Sequence, residues 1–212
     1  MIGDKLVITD YHRQAAATVF PALIRKIEEV GVPLAVTIAG ESGCGKSETA
    51  AILAELCKNQ GYRTLILQQD DYFILPPQTN HNRRMEDISW VGMQEVRLDK
   101  LSKDIEGIKS GQEKTISKPL VIFDENLLTE EEVDIEGVNV VIAEGTYTTT
   151  IENADFKVFI DRNYKQTKKS RLARLRDPAT DFLEKVLAIE HEIISRHKDL
   201  ADVVVPPPEN ER

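Results

Sequence analysis

The segment that most constrains the fold is "AVTIAGESGCGKSETA", residues 35–50, in which an apolar run leads through a glycine-rich turn into a helix-forming stretch. Four positions fit the pattern G-x-x-x-x-G-K-[ST], namely Gly40, Gly45, Lys46 and Ser47. Glycines let successive backbone N–H groups turn towards phosphate oxygens, and the N-terminus of the following helix adds positive potential. We therefore predict a strand, a phosphate-binding loop and a helix that together hold a nucleoside triphosphate.

The residue types in this loop predict their roles. Lys46 is expected to reach the β- and γ-phosphates, and the hydroxyl of Ser47 is expected to ligate Mg²⁺. The predicted nucleotide-binding residues of the loop are Gly40, Glu41, Ser42, Gly43, Cys44, Gly45, Lys46, Ser47 and Glu48. We thus expect ATP and Mg²⁺ as cofactors, while the sequence leaves the choice between ATP and GTP open.

Short apolar runs alternate with helix-like segments along the rest of the chain. Strands are predicted over residues 34–39, 64–68, 138–143, 157–160 and 201–205, and helices over 15–30, 48–60, 96–110, a basic segment up to 177, and 182–197. Residues 115–136 suit a hairpin, residues 74–94 look irregular, and the proline-rich tail from 206 is expected to fray. This alternation predicts an α/β fold of the P-loop NTPase type, with a five-stranded parallel sheet, helices on both faces, a lid helix and a small β-hairpin flap.

A chain of 212 residues is long enough for one domain with a full core. We predict a single P-loop domain in five parts: an N-terminal helical extension (1–33), the phosphate loop and second strand (34–73), the acceptor region and flap (74–136), an acidic strand, lid and C-terminal strand (137–205), and a tail (206–212).

The composition argues against two classes of partner. The net charge is −9, and a general nucleic-acid binder is usually basic. The sequence shows no apolar run of membrane-spanning length and no signal-peptide pattern, and its two cysteines do not suggest a disulfide framework. We expect a cytoplasmic protein that acts on a small-molecule acceptor, without nucleic acid or membrane, and homo-oligomerisation stays open.

Two predicted strands end on acidic residues. "TLILQQDDYF" places Asp70 and Asp71 directly after the second strand, and "VNVVIAEGTYT" places Glu144 at the end of another. Ligands of such sheets bind beyond the carboxyl ends of the strands. Asp70 is therefore a candidate base for an attacking hydroxyl, or a Mg²⁺ ligand, and Glu144 a candidate holder of a Mg²⁺-bound water. A solvated acid pair is the alternative for the first site.

The segment "RNYKQTKKSRLARLRD" is strongly basic within an acidic protein. Guanidinium groups bind phosphate oxygens in a bidentate manner and stabilise charge on a transferring phosphoryl group. A lid closing over ATP would explain this run, although a solvated basic helix is the usual alternative. The candidates are Arg162, Arg171, Arg174 and Arg176; of these, Arg171 and Arg174 are predicted to be catalytic and Arg176 to bind nucleotide.

Other functions of a phosphate loop predict different marks. Two D-x-x-G patterns, at 104–107 and 134–137, do not follow apolar strands and read as solvated turns, and no N-K-x-D motif is present, which disfavours a GTPase. An NTPase that drives a protein partner, or a nucleotide sensor without catalysis, stays as an alternative.

The order of these features resembles the uridine kinase and phosphoribulokinase family of P-loop kinases over about residues 34–206. "GESGCGKS" matches the family's phosphate loop, "LQQDDYF" is similar to its L-x-x-D-x-F-Y segment, and "VVIAEGTY" to its strand that ends in E-G. "RLARLRD" resembles the arginine-bearing lid helix, and "ADVVVP" the strand A-D-x-I-I-P. The resemblance implies an ATP-dependent phosphotransferase acting on a nucleoside or sugar-type hydroxyl, with Asp70 as catalytic base and Glu144 at the acidic position.

The sequence departs from this family in the region that would bind the acceptor. Uridine kinases carry the ribose-gripping box N-W-D-H-P-D-A-F-D, whereas "SWVGMQEVRL" retains only Trp90 of its core, and "KPLVIFDENLL" shows no clear counterpart of the residues that read uracil. Arg83 and Arg84 would suit an anionic or phosphorylated acceptor, with a solvated loop as the alternative. The predicted acceptor-contacting residues are Tyr72, Arg83, Arg84, Trp90 and Tyr147.

Overall fold

The central element of the structure, a computed structural model that describes residues 6–174 and 180–211, is a five-stranded parallel sheet. Its strands are β1 (Leu34–Gly40), β2 (Thr64–Gln68), β5 (Val140–Glu144), β6 (Phe156–Ile160) and β7 (Val203–Val205), in the order β2-β5-β1-β6-β7. A separate antiparallel hairpin pairs β3 (Thr115–Ile122) with β4 (Leu127–Asp134). The predicted α/β fold, with five parallel strands and a hairpin, is confirmed.

Helices occupy most of the connections. They are α1 (Asp10–Val30), α2 (Lys46–Asn59), α3 (Pro77–Glu86), α4 (Leu98–Ser110), α5 (Lys168–Arg174) and α6 (Asp181–Ile194). Short 3₁₀ helices include Gln69–Tyr72, directly after β2, and Glu209–Glu211, near the C-terminus. Among the described helices, none is both long and apolar enough to cross a membrane.

The strand register brings the predicted acidic positions to one edge of the sheet. Glu144 pairs with Ile38 of β1 on one side and with Gln68 of β2 on the other. Strand β5 lies between β1 and β2, so the second strand is not the direct neighbour of the strand that carries the phosphate loop. Glu144 is therefore the acid next to the phosphate loop, and Asp70 approaches from one strand further away.

The two faces of the sheet carry separate cores because side chains alternate along each strand. On β1, Leu34, Val36 and Ile38 belong to the core formed with α1 and α2. The intervening Ala35 belongs to the opposite core, which contains residues of α4 and the hairpin. The elements predicted to bind the acceptor are thus supported mainly from one face of the sheet.

Several segments differ from the prediction. Helix α1 begins at Asp10 rather than at residue 15, and the region 74–94 contains α3 and two short 3₁₀ helices instead of irregular chain. Asp104 of the first D-x-x-G pattern lies buried in α4, not in a solvated turn. The tail does not fray as expected, since the side chain of Glu211 pairs with Arg162.

Candidate active site

The phosphate-binding loop adopts the backbone that its glycines allow. Gly43 and Gly45 have φ angles of +76° and +103°, which residues with a side chain rarely adopt. Lys46 opens α2, and its Nζ donates to the carbonyl oxygen of Glu41 at 3.0 Å. The ammonium group therefore lies over the loop, where a triphosphate would compete for it.

Residues outside the motif hold this loop in place. The carboxylate of Glu41 accepts from the backbone N–H of Tyr164 at 2.5 Å and contacts His191 of α6 at 2.6 Å. The hydroxyl of Thr167 donates to the carbonyl of Ser42 at 2.8 Å. These contacts join the loop to the segments before and after the predicted lid. The phosphate-loop motif alone did not indicate that Tyr164, Thr167 and His191 would contact it.

Helix α1 also reaches the loop. The imidazole of His12 is buried, and a Cβ at Gly45 would lie 2.5 Å from its Cδ2 atom, so the ring packs directly on this glycine. The buried Glu48 accepts from the backbone N–H of Val7 at 3.4 Å. Sequence reasoning missed His12, because a single histidine in a helix carries no signal of its distant packing partner.

Arg162 and Cys44 lie on another side of the loop. Arg162 donates to the carbonyl of Cys44 at 3.4 Å, pairs with Glu211 at 2.7–2.8 Å, and lies over the ring of Tyr11 at 4.6 Å. The thiol of Cys44 is fully buried, and burial raises its pKa. Arg162 therefore braces the loop from behind, through pairs with both terminal regions of the described chain.

Ser47 and Glu144 meet at the end of the sheet. The hydroxyl of Ser47 donates to Glu144 Oε1 at 2.9 Å, and Gln68 Nε2 lies 3.4 Å from the same oxygen. Burial, together with the charge of Asp70, raises the pKa of Glu144 to about 7 despite the opposing effect of Lys46. Because a bound cation would stabilise the anionic form of this buried carboxyl group, its environment fits a cation site.

These groups also fit the coordination habit of Mg²⁺. The ion is commonly held by one or two carboxylates together with substrate phosphates and water. Within residues 6–174 and 180–211, no cluster of three or more His, Cys, Asp or Glu side chains could form an all-protein cage. Ser47 and Glu144 would thus hold Mg²⁺ only jointly with a triphosphate.

The two adjacent aspartates after β2 have different environments. Asp70 lines a cleft beside the phosphate loop, and its charge acts on Glu144. Asp71 is 2% exposed, accepts from the backbone N–H of Val121 at 3.0 Å, and pairs with the buried Lys118 at 3.0 Å. Asp71 therefore anchors the hairpin to the segment after β2, and Asp70 is the one that lines the cleft.

The described part of the lid places one predicted arginine at the site. Arg171 lines the cleft, and its Cγ would contact a Cβ at Gly43. It donates to the hydroxyl of Thr167 at 2.7 Å, while Lys168, which also lines the cleft, lies 3.3 Å from Glu184. Arg174 ends α5 and its side chain lies outside the described part, as does the whole of Arg176.

A cavity of about 230 Å³ opens between the loop, the hairpin and helices α3, α5 and α6. Apolar residues form much of its wall, and these include Phe73, Leu75, Val121, Phe123 and Leu183. The polar side chains that come from outside the loop and α5 are Asp70, Asn80, Arg84, Thr146, Glu184 and Glu190. This cavity is the candidate acceptor cleft.

Arg84 lies in the cleft but is already paired. Its guanidinium donates to Glu95 at 2.6 and 3.0 Å and to Glu190 at 3.2 Å. Glu95 is fully buried and also accepts from Asn80 at 2.5 Å and from the backbone N–H of Gly92 at 2.7 Å. Glu95 and Glu190 were not found from the sequence, since they come together only through Arg84 of α3.

The remaining acceptor candidates lie outside the cleft. Arg83 is half-exposed, faces Glu86 and Asp87, and lies over the ring of Trp90. Trp90 reaches the cleft only indirectly, because its Nε1 donates to Asn80 at 2.8 Å. The expected acceptor contacts of Arg83 and Trp90 are therefore corrected to supporting positions.

The two tyrosines are core residues. Tyr72 is fully buried and donates to Asp104 at 2.8 Å, so its expected contact with substrate is corrected. Tyr147 is 1% exposed, and its hydroxyl has no hydrogen-bond partner among the described residues. Burial, together with the charges of Glu190 and Glu95, raises the pKa of Tyr147.

The fold and this site define a P-loop protein with the architecture of a small-molecule kinase. Residues 35–207 match the Phosphoribulokinase / Uridine kinase family, and the chain belongs to that family. Helix α1, which packs His12 on the phosphate loop, precedes the matched region.

Individual relatives are distant. The chain is 24% identical to the uridine kinase of Latilactobacillus sakei over 192 residues, covering 85% of this chain and 88% of that one. It is also 24% identical over 184 residues to the bifunctional alpha-galactosidase/sucrose kinase AgaSK of Mediterraneibacter gnavus, covering 80% of this chain but spanning only 20% of that protein's length.

Solved structures confirm the fold. A possible uridine kinase from Bacillus stearothermophilus superposes with a TM-score of 0.64 at 16% identity, over 91% of this chain and 98% of that one. A putative fructose transport system kinase from Silicibacter sp. gives a TM-score of 0.65 at 16% identity with the same coverage. The named substrates of these proteins differ, so the shared fold leaves the acceptor open.

Proposed function

We propose that this protein is a Mg²⁺- and ATP-dependent kinase that transfers the γ-phosphate to a hydroxyl of a small molecule. The observation that carries the proposal is the meeting of Ser47 and Glu144 at 2.9 Å beside the phosphate loop, with Asp70 lining the adjoining cleft. A triphosphate on the loop and a hydroxyl in the cleft would then both lie beside the carboxylate of Asp70.

Each residue has a distinct task in this proposal. Asp70 accepts the proton of the attacking hydroxyl, and Lys46 binds the phosphate tail once ATP displaces it from the Glu41 carbonyl. Arg171 stabilises negative charge on the transferring phosphoryl group from the lid side. When bound at Ser47 and Glu144, Mg²⁺ would neutralise charge that develops on the phosphates.

The size and lining of the cleft support a small acceptor over a protein partner. Its volume of about 230 Å³ is below the roughly 300–1,000 Å³ of typical ligand pockets. Elements from several parts of the chain surround it, including the hairpin, α3 and α6. An NTPase that acts on a protein would instead need an exposed surface close to the γ-phosphate.

The proposal is tested by incubating the protein with Mg·ATP and pools of nucleosides, sugars, sugar phosphates and carboxylated alcohols. Mass spectrometry is expected to show one class gaining a phosphate group, and Lys46→Ala is expected to abolish the gain. If ATP binds but is hydrolysed at the same rate with and without every pool, the kinase proposal is wrong and the NTPase alternative is favoured.

A further inference from the structure

The polar end of the acceptor cleft contains more carboxylates than positive charges. Arg84 is the cation of this cluster, and it is shared between Glu95 and Glu190. Asp70 adds a further negative charge to the cleft. An acceptor bearing a phosphate or carboxylate would have to displace one of these pairs or bring an extra anion into the same space.

The behaviour of Glu190 indicates how the cleft treats an anion. Burial raises the pKa of Glu190, and the charges of Glu95 and Asp70 add to this, against the opposing effects of Arg84 and Lys46. The environment thus disfavours the anionic form even of a resident carboxyl group. For the same physical reason it disfavours an anionic group on a bound ligand.

The cationic side chains that line the cavity on the lid side face a different partner. Arg171 lies against Gly43 of the phosphate loop, and Lys168 pairs with Glu184 at the lid. Both come from α5, so they suit the phosphates of the donor. At the α3 and α6 end of the cleft, the cation among the described lining residues is Arg84, and it is shared between Glu95 and Glu190.

The walls of the cleft favour an acceptor that carries no nucleobase. The hairpin contributes only Val121 and Phe123 to the lining, and neither can pair with the carbonyl and N–H edge of a pyrimidine. Leaving such polar groups unpaired in a buried site is costly. Apolar walls opposite carboxylate and amide groups suit instead a molecule with hydrocarbon faces and hydroxyl edges.

From these observations, and resting on the kinase function proposed above, we infer that the acceptor is an uncharged polyhydroxylated compound, a free sugar or polyol. Its hydroxyls bind to Glu190, while Arg84 and Asn80 act as positioning residues that hold Glu190 and Glu95. The suggestion that Arg84 selects a phosphorylated acceptor is thereby replaced, because its Nε and Nη2 groups already donate to Glu95 and Glu190 within the protein.

The first test compares matched acceptors with Mg·ATP: free monosaccharides and polyols, their monophosphates, the corresponding sugar acids, and nucleosides. We expect at least one uncharged sugar or polyol to be phosphorylated, with kcat/KM at least about 100-fold above its phosphorylated and carboxylated counterparts. Preference for an anionic acceptor or a nucleoside would overturn the inference while leaving the kinase function intact. Turnover with none of the uncharged sugars or polyols would overturn it as well.

The second test uses Glu190 variants on the best uncharged acceptor. Glu190→Gln is expected to raise the KM for the acceptor about 10- to 100-fold, the loss typical of a hydrogen bond to a charged group. It is also expected to reduce the ratio of kcat/KM for the uncharged acceptor to kcat/KM for its phosphorylated counterpart. Glu190→Asp keeps the charge, so it should also raise KM but retain that preference. The exposed Glu192 on the same helix provides the matched control, Glu192→Gln, with unchanged constants.

The KM for ATP and the melting temperature show whether these variants remain folded. The KM for ATP is expected to stay close to that of the parent protein, because Glu190 lies at the α3 and α6 end of the cleft. The melting temperature is expected to fall by no more than a few degrees, because Arg84 keeps Glu95 as a partner when its pair with Glu190 is lost. An acceptor KM that is unchanged in Glu190→Gln would overturn the assignment of Glu190. A preference over the phosphorylated counterpart that is equally strong in Glu190→Gln and the parent would overturn the electrostatic argument.

Discussion

Replacing each of the two adjacent aspartates by asparagine separates stability from catalysis. Asp71 and Lys118 form an ion pair with an Nζ to Oδ2 distance of 3.0 Å, and their side chains are only 2% and 6% exposed. Breaking a buried pair by removing one charge typically costs about 3–5 kcal/mol. Lys118 keeps a second partner in Glu131, which is 38% exposed, so we take about 2–3 kcal/mol for Asp71→Asn.

This cost is measurable as a shift in thermal unfolding. For chains of this length, 1 kcal/mol corresponds to roughly 2–4 °C in Tm, so Asp71→Asn is expected to melt about 5–10 °C below the parent protein. Circular dichroism or dye-based melting would measure the shift. At a temperature well below both transitions, Asp71→Asn should retain most of its turnover, because this side chain bonds to Lys118 and to the backbone of Val121 and does not itself line the cleft.

The neighbouring substitution should show the opposite pattern. Asp70→Asn is expected to lower kcat by about 10²–10⁴-fold, the usual contribution of a general base, while Mg·ATP still raises its Tm. If Asp71→Asn lost turnover without losing stability, or if Asp70→Asn melted lower than Asp71→Asn, the assigned roles of the two residues would be wrong.

Three further substitutions probe the loop and its supports. Gly45→Ala is expected to weaken ATP binding by at least about tenfold in calorimetry, because the φ of +103° at this position and the ring of His12 both oppose a Cβ atom. Adding His12→Ala to the same chain should restore part of the lost affinity. If it restores none, the ring is not an obstacle to the Cβ atom. Glu144→Gln should raise Tm in the presence of EDTA at neutral pH, because it removes a buried carboxyl group whose raised pKa shows that its anion is destabilised. The same substitution should remove any Mg²⁺-dependent increase in Tm that ATP produces. A Tm below that of the parent protein in EDTA would contradict the first expectation. Glu211→Gln should lower the free energy of unfolding in urea by about 1–2 kcal/mol through the loss of its paired charge on Arg162, and no change would mean that the C-terminal turn adds nothing to stability.

The donor side of the site could be predicted because its signals are local. The spacing of Gly40, Gly45, Lys46 and Ser47 lies within eight residues, and the ends of parallel strands meet at one edge in any fold of this kind. The position of Glu144 beside Ser47 followed from these two facts. The order of the strands did not, since the sequence carries no mark that β5 enters between β1 and β2.

The acceptor side could not be predicted because its contacts join distant segments. Glu95 and Glu190 are separated by 95 positions and meet only through Arg84. Helix α3 was missed because "PQTNHNRRME" is mostly polar, and Met85 alone gives no apolar periodicity. The proline at its first position, Pro77, was the available signal, since proline favours the first turn of a helix.

The separation of the two cores has a consequence for how such a chain can diversify. Core substitutions around α4 and the hairpin are felt mainly on one face of the sheet, whereas the phosphate loop is backed by α1 and α2 on the other. Mutational drift in the layer that shapes the cleft can therefore accumulate without disturbing the layer that supports the nucleotide. A lineage built on this scaffold can exchange one metabolite for another while its phosphate chemistry stays the same.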